Sequence, residues 1–329
     1  MMKVMRIVQP TGAAGLKLDV QPTPEIGPFE IRVKVNATAV NRSDLLQSMG
    51  RYPAPPGVPA DIPGLEYAGE VVAIGSHVQR WKPGARVMGL VAGGAWAEAL
   101  VTHEHEAMAI PETLSDIQAA AISEAFMTAW DALIVQANMQ LGHRVLIHAA
   151  TSGVGTAATQ LINAAGAVGI GSSRSQQKLE RTRALGLDET LLVESSEPRF
   201  AKAILEMTQG RGVDVVLDLV GGTWLPETLQ STAIGGTIVL VGLVAGSSAE
   251  VPLTTLLSRR LHLKGTVLRS RPQSERIELA TRFEKEVLPQ FRSQRLKPII
   301  DAVLPVHEAG AALARLAASD TFGKLVLTW

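Results

Sequence analysis

The stretch from Arg144 to Ala158, Arg-Val-Leu-Ile-His-Ala-Ala-Thr-Ser-Gly-Val-Gly-Thr-Ala-Ala, constrains the fold more than any other part of the chain. An apolar run is followed by a short turn with glycines at 153 and 155, and then by an alanine-rich segment. The run reads as a strand and the alanine-rich segment as a helix, so Gly153-x-Gly155-x-x-Ala158 fits the G-x-G-x-x-G/A turn that joins two such elements. In that turn Gly153 permits the tight reversal, Gly155 lets the backbone approach a pyrophosphate, and the small Ala158 allows close helix-to-strand packing. The helix N-terminus attracts the phosphate charge. A glycine triplet alone is weak evidence, and a purely structural turn is the plainer alternative; the readable strand before it and helix after it favour a dinucleotide.

The surrounding sequence suits this reading. Strand-like runs at 144–149, 213–220 and 236–244 alternate with helical stretches at 154–165, 176–185 and 200–208, the pattern of a parallel sheet built from βαβ units. Val213 to Leu217 and Thr237 to Val241 are nearly all apolar, as strands buried on both faces should be. Residues 1–110 instead show short alternating runs such as Ile31-Arg32-Val33-Lys34-Val35, separated by turns, with an ordered proline-rich loop from Pro53 to Pro59. Ser115 and Gln118 fit a capping box, and Ala119 to Ala137 reads as helix. Near the end, Ile277, Ala280, Phe283, Val287 and Phe291 keep near-helical spacing, and Lys324 to Leu327 reads as a last strand. A β-rich domain over 1–124, a cofactor domain over 125–265 and a segment over 266–329 that rejoins the first domain are expected, in keeping with 329 residues.

Charge and composition narrow the partners. Lys and Arg number 31 against 31 Asp and Glu, which leaves no net charge to draw nucleic acid or an anionic membrane surface. The absence of cysteine rules out disulfides, thiolate ligands and a cysteine nucleophile. Neither a signal-like leader nor an apolar run long enough for a membrane span is visible, and a cytoplasmic location is expected.

Which dinucleotide is bound depends on the end of the next strand, about 20 residues past the glycines, where an acid would hold the ribose hydroxyl of NAD. Gly171-Ser172-Ser173-Arg174-Ser175-Gln176-Gln177-Lys178 has none. Its hydroxyls and two cations suit a 2′-phosphate, which Arg174 could grip with both arms of its guanidinium, so NADPH is expected. A solvated basic loop is the alternative.

Taken in order, Asn41-Arg42-Ser43-Asp44, Gly64-Leu65-Glu66-Tyr67-Ala68-Gly69, Ser152 to Gly155, Val213 to Asp218 with Gly221-Gly222, and Gly323-Lys324 resemble the medium-chain dehydrogenase/reductase superfamily, specifically its zinc-free quinone oxidoreductase branch. The resemblance spans essentially the whole chain. Gly50-Arg51-Tyr52-Pro53, Leu268-Arg269-Ser270-Arg271 and Glu286-Val287-Leu288-Pro289 look most like the subgroup of the apoptosis-associated quinone oxidoreductase. It implies an α/β architecture, a doubly wound Rossmann sheet beside a GroES-like β-rich catalytic domain. It further implies that Asn41, Tyr52 and Thr128 line the nicotinamide and substrate cleft and that Ser152, Gly153, Val154 and Gly155 hold the pyrophosphate. Ser173, Arg174 and Lys178 would take the adenosine phosphate. Leu243, Val244, Leu268, Arg269, Ser270, Phe322, Gly323 and Lys324 would close around the nicotinamide half. Zinc-dependent relatives carry a cysteine near Asn41 and a histidine where Leu65 stands; with both missing, no metal is expected. The tyrosine that many members have near Leu192-Val193 is also absent.

The expected reaction is zinc-independent hydride transfer from NADPH to a quinone, which chiefly requires the two rings to be held in contact. Tyr52 is the candidate for stacking on the acceptor or protonating it, or else it packs the loop; Tyr67 falls in a strand-like core segment. Reduction of enones, enals or enoyl thioesters by NADPH is an alternative, and so is a cofactor-binding protein with little catalysis. The acceptor itself is not specified. His148 and the pair His103 and His105 are expected to be structural and superficial, respectively, and Arg269 to orient a carbonyl or the cofactor. The resemblance implies a homodimer, for which the strand from Thr237 to Val244 is the candidate pairing edge.

Overall fold

The structure, a computed structural model, describes residues 1–194 and 198–329. Along the chain come β1 (Met2–Ile7), β2 (Leu16–Gln21), β3 (Glu30–Val40), α1 (Arg42–Ser48), β4 (Glu66–Ile74), β5 (Arg86–Leu90), β6 (Ala99–His103), β7 (Ala107–Ala109), α2 (Asp116–Ala119) and α3 (Ser123–Trp130). Next are β8 (Arg144–Ile147), α4 (Gly153–Ala164), β9 (Val168–Ser173), α5 (Gln176–Arg183), β10 (Glu189–Leu192), α6 (Ala201–Met207), β11 (Val213–Asp218), α7 (Leu225–Ser231), β12 (Thr232–Leu240), α8 (Leu253–Ser258) and β13 (His262–Gly265). The tail holds α9 (Gln273–Glu286), α10 (Leu288–Arg292), β14 (Ile300–Pro305), α11 (Ala309–Ala317) and β15 (Lys324–Thr328). Two compact units result: residues 1–127 with 268–329, and residues 128–267, so the divisions fall a few residues later than the expected 124 and 265.

In the first unit the alternation of β3 does what period two requires: Ile31, Val33 and Val35 are fully buried while Lys34 faces water. These side chains pack with Tyr67, Val71 and Val87 from the neighbouring strands, and each contributes about 1.5–3 kcal/mol by leaving water. The sheet runs β14-β15-β3-β4-β5-β7, with β6 also paired to β3. The tail does rejoin this unit. β15 lies antiparallel to β3 with Leu325 opposite Val40, which sets Lys324 beside the end of β3 where Asn41 begins α1.

The expected continuous helix from Ala119 to Ala137 is interrupted. The Ser115–Gln118 capping box forms, but α2 stops after one turn, and Ala120, Ala121 and Ile122 are fully buried in a turn before α3. After α3 the backbone widens into a π-type turn over Asp131–Gln136, closed by the Ala137 amide donating to the Ala132 carbonyl. Buried Asp131 accepts from Thr266 at 2.7 Å and from Gln136 at 3.2 Å within the second unit. Local alanine propensity yields here to tertiary packing.

The second unit is a six-stranded parallel sheet in the order β10-β9-β8-β11-β12-β13. Strand order therefore reverses between β8 and β11, the doubly wound arrangement with two halves of three strands. Leu146, Val216 and Ile238 fill its core at zero exposure with Phe200 and Trp224. The third strand-like run needs correction. β12 spans 232–240 rather than 236–244, and it pairs with β11 on one side and β13 on the other. Its ladder groups are already used, so it cannot be the pairing edge; β13 is an edge strand of this sheet. No helix among the described residues is long and apolar enough to cross a membrane.

Candidate active site

In the second unit α4 begins at Gly153, at the carboxyl end of β8 and next to the reversal of strand order, the position where open α/β sheets take ligands. Ser152 caps the helix, its hydroxyl accepting from the Gly155 amide at 3.0 Å. The Gly153 and Val154 amides have no protein acceptor among the described residues, leaving two donors at the positive end of a 12-residue helix. The division of labour differs from expectation at one point. Ala149, not Gly153, takes the left-handed backbone of the turn, at φ 54°. Glycine is needed at 155 because a Cβ there would lie 2.4 Å from the Ala149 carbonyl oxygen. The cradle is therefore shaped for an anion and too tight for a side chain, which fits a dinucleotide pyrophosphate.

β9 ends beside this turn. The Ser173 hydroxyl is 3.2 Å from that of Thr151, and Ser175 caps α5 by accepting from the Lys178 amide at 3.4 Å. Arg174 is exposed and Lys178 is half-buried on the first turn of α5. Leu243 and Val244 follow β12 in a loop and are exposed. His148 is fully buried with both ring nitrogens engaged, by Ser172 at 3.0 Å and Thr228 at 2.9 Å. Burial holds its basicity below the usual imidazole range, so it serves the core as expected.

The first unit carries a second polar centre. Asn41 heads α1, with its amide donating to Asp44 at 2.7 Å, and Asp44 also accepts from the Gly64 amide at 2.9 Å. Glu66, on β4 and fully buried, accepts from Lys324 at 2.7 Å and from the Asn41 side chain at 2.9 Å through one oxygen. Its other oxygen accepts from the Glu124 amide at 2.7 Å. Lys324 also donates to the Asn41 side-chain oxygen and, at 3.4 Å, to the Val40 carbonyl. All three ammonium protons thus have acceptors inside this unit. Its charge balances Glu66. The preceding Gly323 has φ 88° and no room for a Cβ, which would fall 2.3 Å from the Ile299 carbonyl oxygen; Phe322 is buried.

Arg269 has a similar employment. Its guanidinium donates to the Ala92 carbonyl at 2.6 Å, the Gln47 side chain at 2.8 Å and the Tyr52 carbonyl at 3.3 Å, and it stacks on the Tyr52 ring at 4.8 Å. It fastens the loop that carries Tyr52, whose phenol is pushed above its ordinary range chiefly by burial. Leu268 lines a cavity of this unit, whereas Ser270 is exposed. Thr128, late in α3, is buried with a hydroxyl that lacks a partner among the described residues. His103 and His105 lie 5.6 Å apart at the surface, beside Phe29. Among the described residues no group of three His, Cys, Asp or Glu side chains is placed to hold a metal.

One member of the cavity escaped the sequence reading: Glu124, a carboxyl among Leu65, Met127, Leu268 and Leu279. Its signal was present. Glu124 is the only charged residue in the run from Ala119 to Trp130, and it sits one helical turn before Thr128.

Comparison with known proteins places these features. Residues 153–285 match the family described as "Zinc-binding dehydrogenase" and residues 27–112 the "Alcohol dehydrogenase GroES-like domain". The chain is 31% identical over 308 residues to the "Quinone oxidoreductase-like protein 2 homolog" of Nematostella vectensis, covering 93% of this chain and 83% of that protein. It is 33% identical to a "Mycocerosic acid synthase-like polyketide synthase" of Mycobacterium tuberculosis, of whose length it spans only 14%. Among solved structures, a quinone oxidoreductase of Pseudomonas syringae pv. Tomato DC3000 superposes with a TM-score of 0.90 at 29% identity over the full length of both chains. The JamJ enoyl reductase superposes at 0.89 with 26% identity, over 100% of this chain and 99% of that one.

Proposed function

The chain belongs to the medium-chain dehydrogenase/reductase superfamily, whose fold and nicotinamide-type cofactor it shares, and from that premise we propose that it is an NADPH-dependent, zinc-independent quinone reductase of the apoptosis-associated subgroup. The observation that carries the proposal is the end of β9. Beside a helix N-terminus with two open amides, the chain offers Ser173, Arg174 and Lys178 and no carboxylate between 171 and 178, which favours a 2′-phosphate over a bare ribose hydroxyl. Zinc has no part in this reading, since Leu65 cannot ligate and Glu66 is already neutralised by Lys324.

Bound NADPH supplies the hydride. Ser152 to Gly155 bind its pyrophosphate, and Arg174 with Ser173 and Lys178 hold the adenosine phosphate. Leu243 and Val244 of the second unit offer apolar contact to the nicotinamide half, and Thr128 of the same unit offers an unpartnered hydroxyl. The acceptor, a small electrophilic quinone, packs by Tyr52, whose ring Arg269 holds in place, and Asn41 is locked by Lys324 and Glu66. Near-attack contact then does most of the work.

A second reading, reduction of an activated alkene, is favoured by the likeness to the JamJ enoyl reductase. A panel of ortho- and para-quinones and enones, each with NADPH and with NADH, separates the two. The proposal expects quinone-dependent oxidation of NADPH in clear preference to NADH. Turnover of enones alone, or a preference for NADH, refutes it.

A further inference from the structure

We propose that the Glu124 side chain delivers the proton that completes reduction of the acceptor, from a cavity in the first unit. The inference rests on the oxidoreductase reading above and adds a residue to it. The titratable groups lining that cavity are Glu106, Glu124, Arg269 and Arg276. Three are committed elsewhere: Glu106 and Arg276 pair at 2.7 Å, and Arg269 holds the Tyr52 loop. Only the Glu124 carboxyl has no hydrogen-bond or ion-pair partner among the described residues, and it looks into a space walled by leucines, Val91 and Met127. Its backbone is pinned, because its amide donates to Glu66.

The charges around it explain its protonation state. Lys324 on β15 is one ammonium serving three neighbouring carboxyls: Asp44 on α1, Glu66 on β4 and Glu124 on α3. Glu66 takes the ion pair, and Asp44 takes two backbone amides. Glu124 is left with desolvation first and the nearby Glu66 charge second, against weaker help from Lys324 and Arg269, and its carboxyl is pushed up to about 8. Tyr52, the other acid facing it, is itself raised and keeps its proton more firmly. At neutral pH the cavity therefore contains a carboxylic acid with an unspent O–H.

The step balances. With a reduced nicotinamide bound, the quinone would receive two electrons as hydride, and negative charge would collect on a ring oxygen. The Glu124 O–H bond breaks with its electrons staying on the carboxylate, an O–H bond forms on the acceptor oxygen, and water returns a proton to Glu124.

The test compares the unmodified protein with Glu124→Gln, which keeps shape, and Glu124→Asp, which keeps the acid but withdraws it. With NADPH and a quinone, kcat of the unmodified protein should fall about tenfold per pH unit above about 8. Glu124→Gln should lose kcat by about a hundredfold at neutral pH, show no fall in that range, and keep its KM for NADPH. Glu124→Asp should restore part of kcat and all of the pH dependence. An infrared titration of the protein without ligands should show a carboxyl losing its proton near pH 8, absent from Glu124→Gln. If Glu124→Gln keeps kcat within about twofold and keeps the same alkaline limb, the assignment is overturned while the reductase reading stands. If the unmodified protein oxidises NADPH with no acceptor at all, both are overturned.

Discussion

Replacing Lys324 by Met tests the most consequential contact of the first unit. The ammonium sits at 4% exposure against a Glu66 at 0%, and it is the sole cation paired with that carboxylate among the described residues. Removing one partner of a buried pair costs about 3–5 kcal/mol, because the survivor is left charged and dry. Glu66 keeps two donors, the Asn41 side chain and the Glu124 amide, so the low end, about 3 kcal/mol, is expected. Against a total of about 5–15 kcal/mol this is a large loss. The double variant Lys324→Met/Glu66→Gln removes the orphaned charge and should recover most of it, since a neutral pair of similar volume is often no worse than a buried ion pair. Urea denaturation of the four members of the cycle, followed by fluorescence of the Trp81 and Trp96 side chains buried in this unit, reads the result. A Lys324→Met cost below about 1 kcal/mol, with weakened NADPH binding as the main effect, would refute the reasoning. So would a double variant as unstable as the sum of the singles.

Two further outcomes are expected. Arg174→Asp sets a carboxylate where the 2′-phosphate is proposed to bind, and should invert the ratio of kcat/KM for NADPH over NADH; an unchanged ratio removes Arg174 from the cofactor site. β13 is an edge strand whose Leu263 is exposed, with Leu253, Leu257 and Val267 also exposed in the same unit, and we propose that it pairs with a second copy. Because a residue near a two-fold axis faces its own copy, Leu263→Glu introduces two like charges at once and should shift a sedimenting dimer to monomer; an unshifted dimer places the interface elsewhere.

The second unit was readable in the sequence because its signals are local. An apolar run, a turn and a helix within 15 residues declare a βαβ unit, and the order of such units implies the parallel sheet. What misled were details that depend on neighbours: Ala149 rather than Gly153 bends the turn, and β12 is interior because β13 covers it. The polar centre of the first unit was much less legible. Asn41 and Lys324 were singled out, but their joint tie to Glu66 spans 258 positions, and no spacing in the sequence encodes it.

The way the tail rejoins the first unit bears on biogenesis. β15 pairs with the Ala37–Val40 end of β3, yet nearly 300 residues separate their paired positions, such as Leu325 and Val40. During synthesis the early strands emerge long before the strand that completes their sheet, and loop closure of that span is slow. The contiguous 128–267 unit has no such wait and can fold as it leaves the ribosome. The first unit must meanwhile hold the Ala37–Val40 end of β3 unpaired on one side, a span during which it is open to chaperones and to aggregation, and its charged centre forms only once Lys324 has emerged.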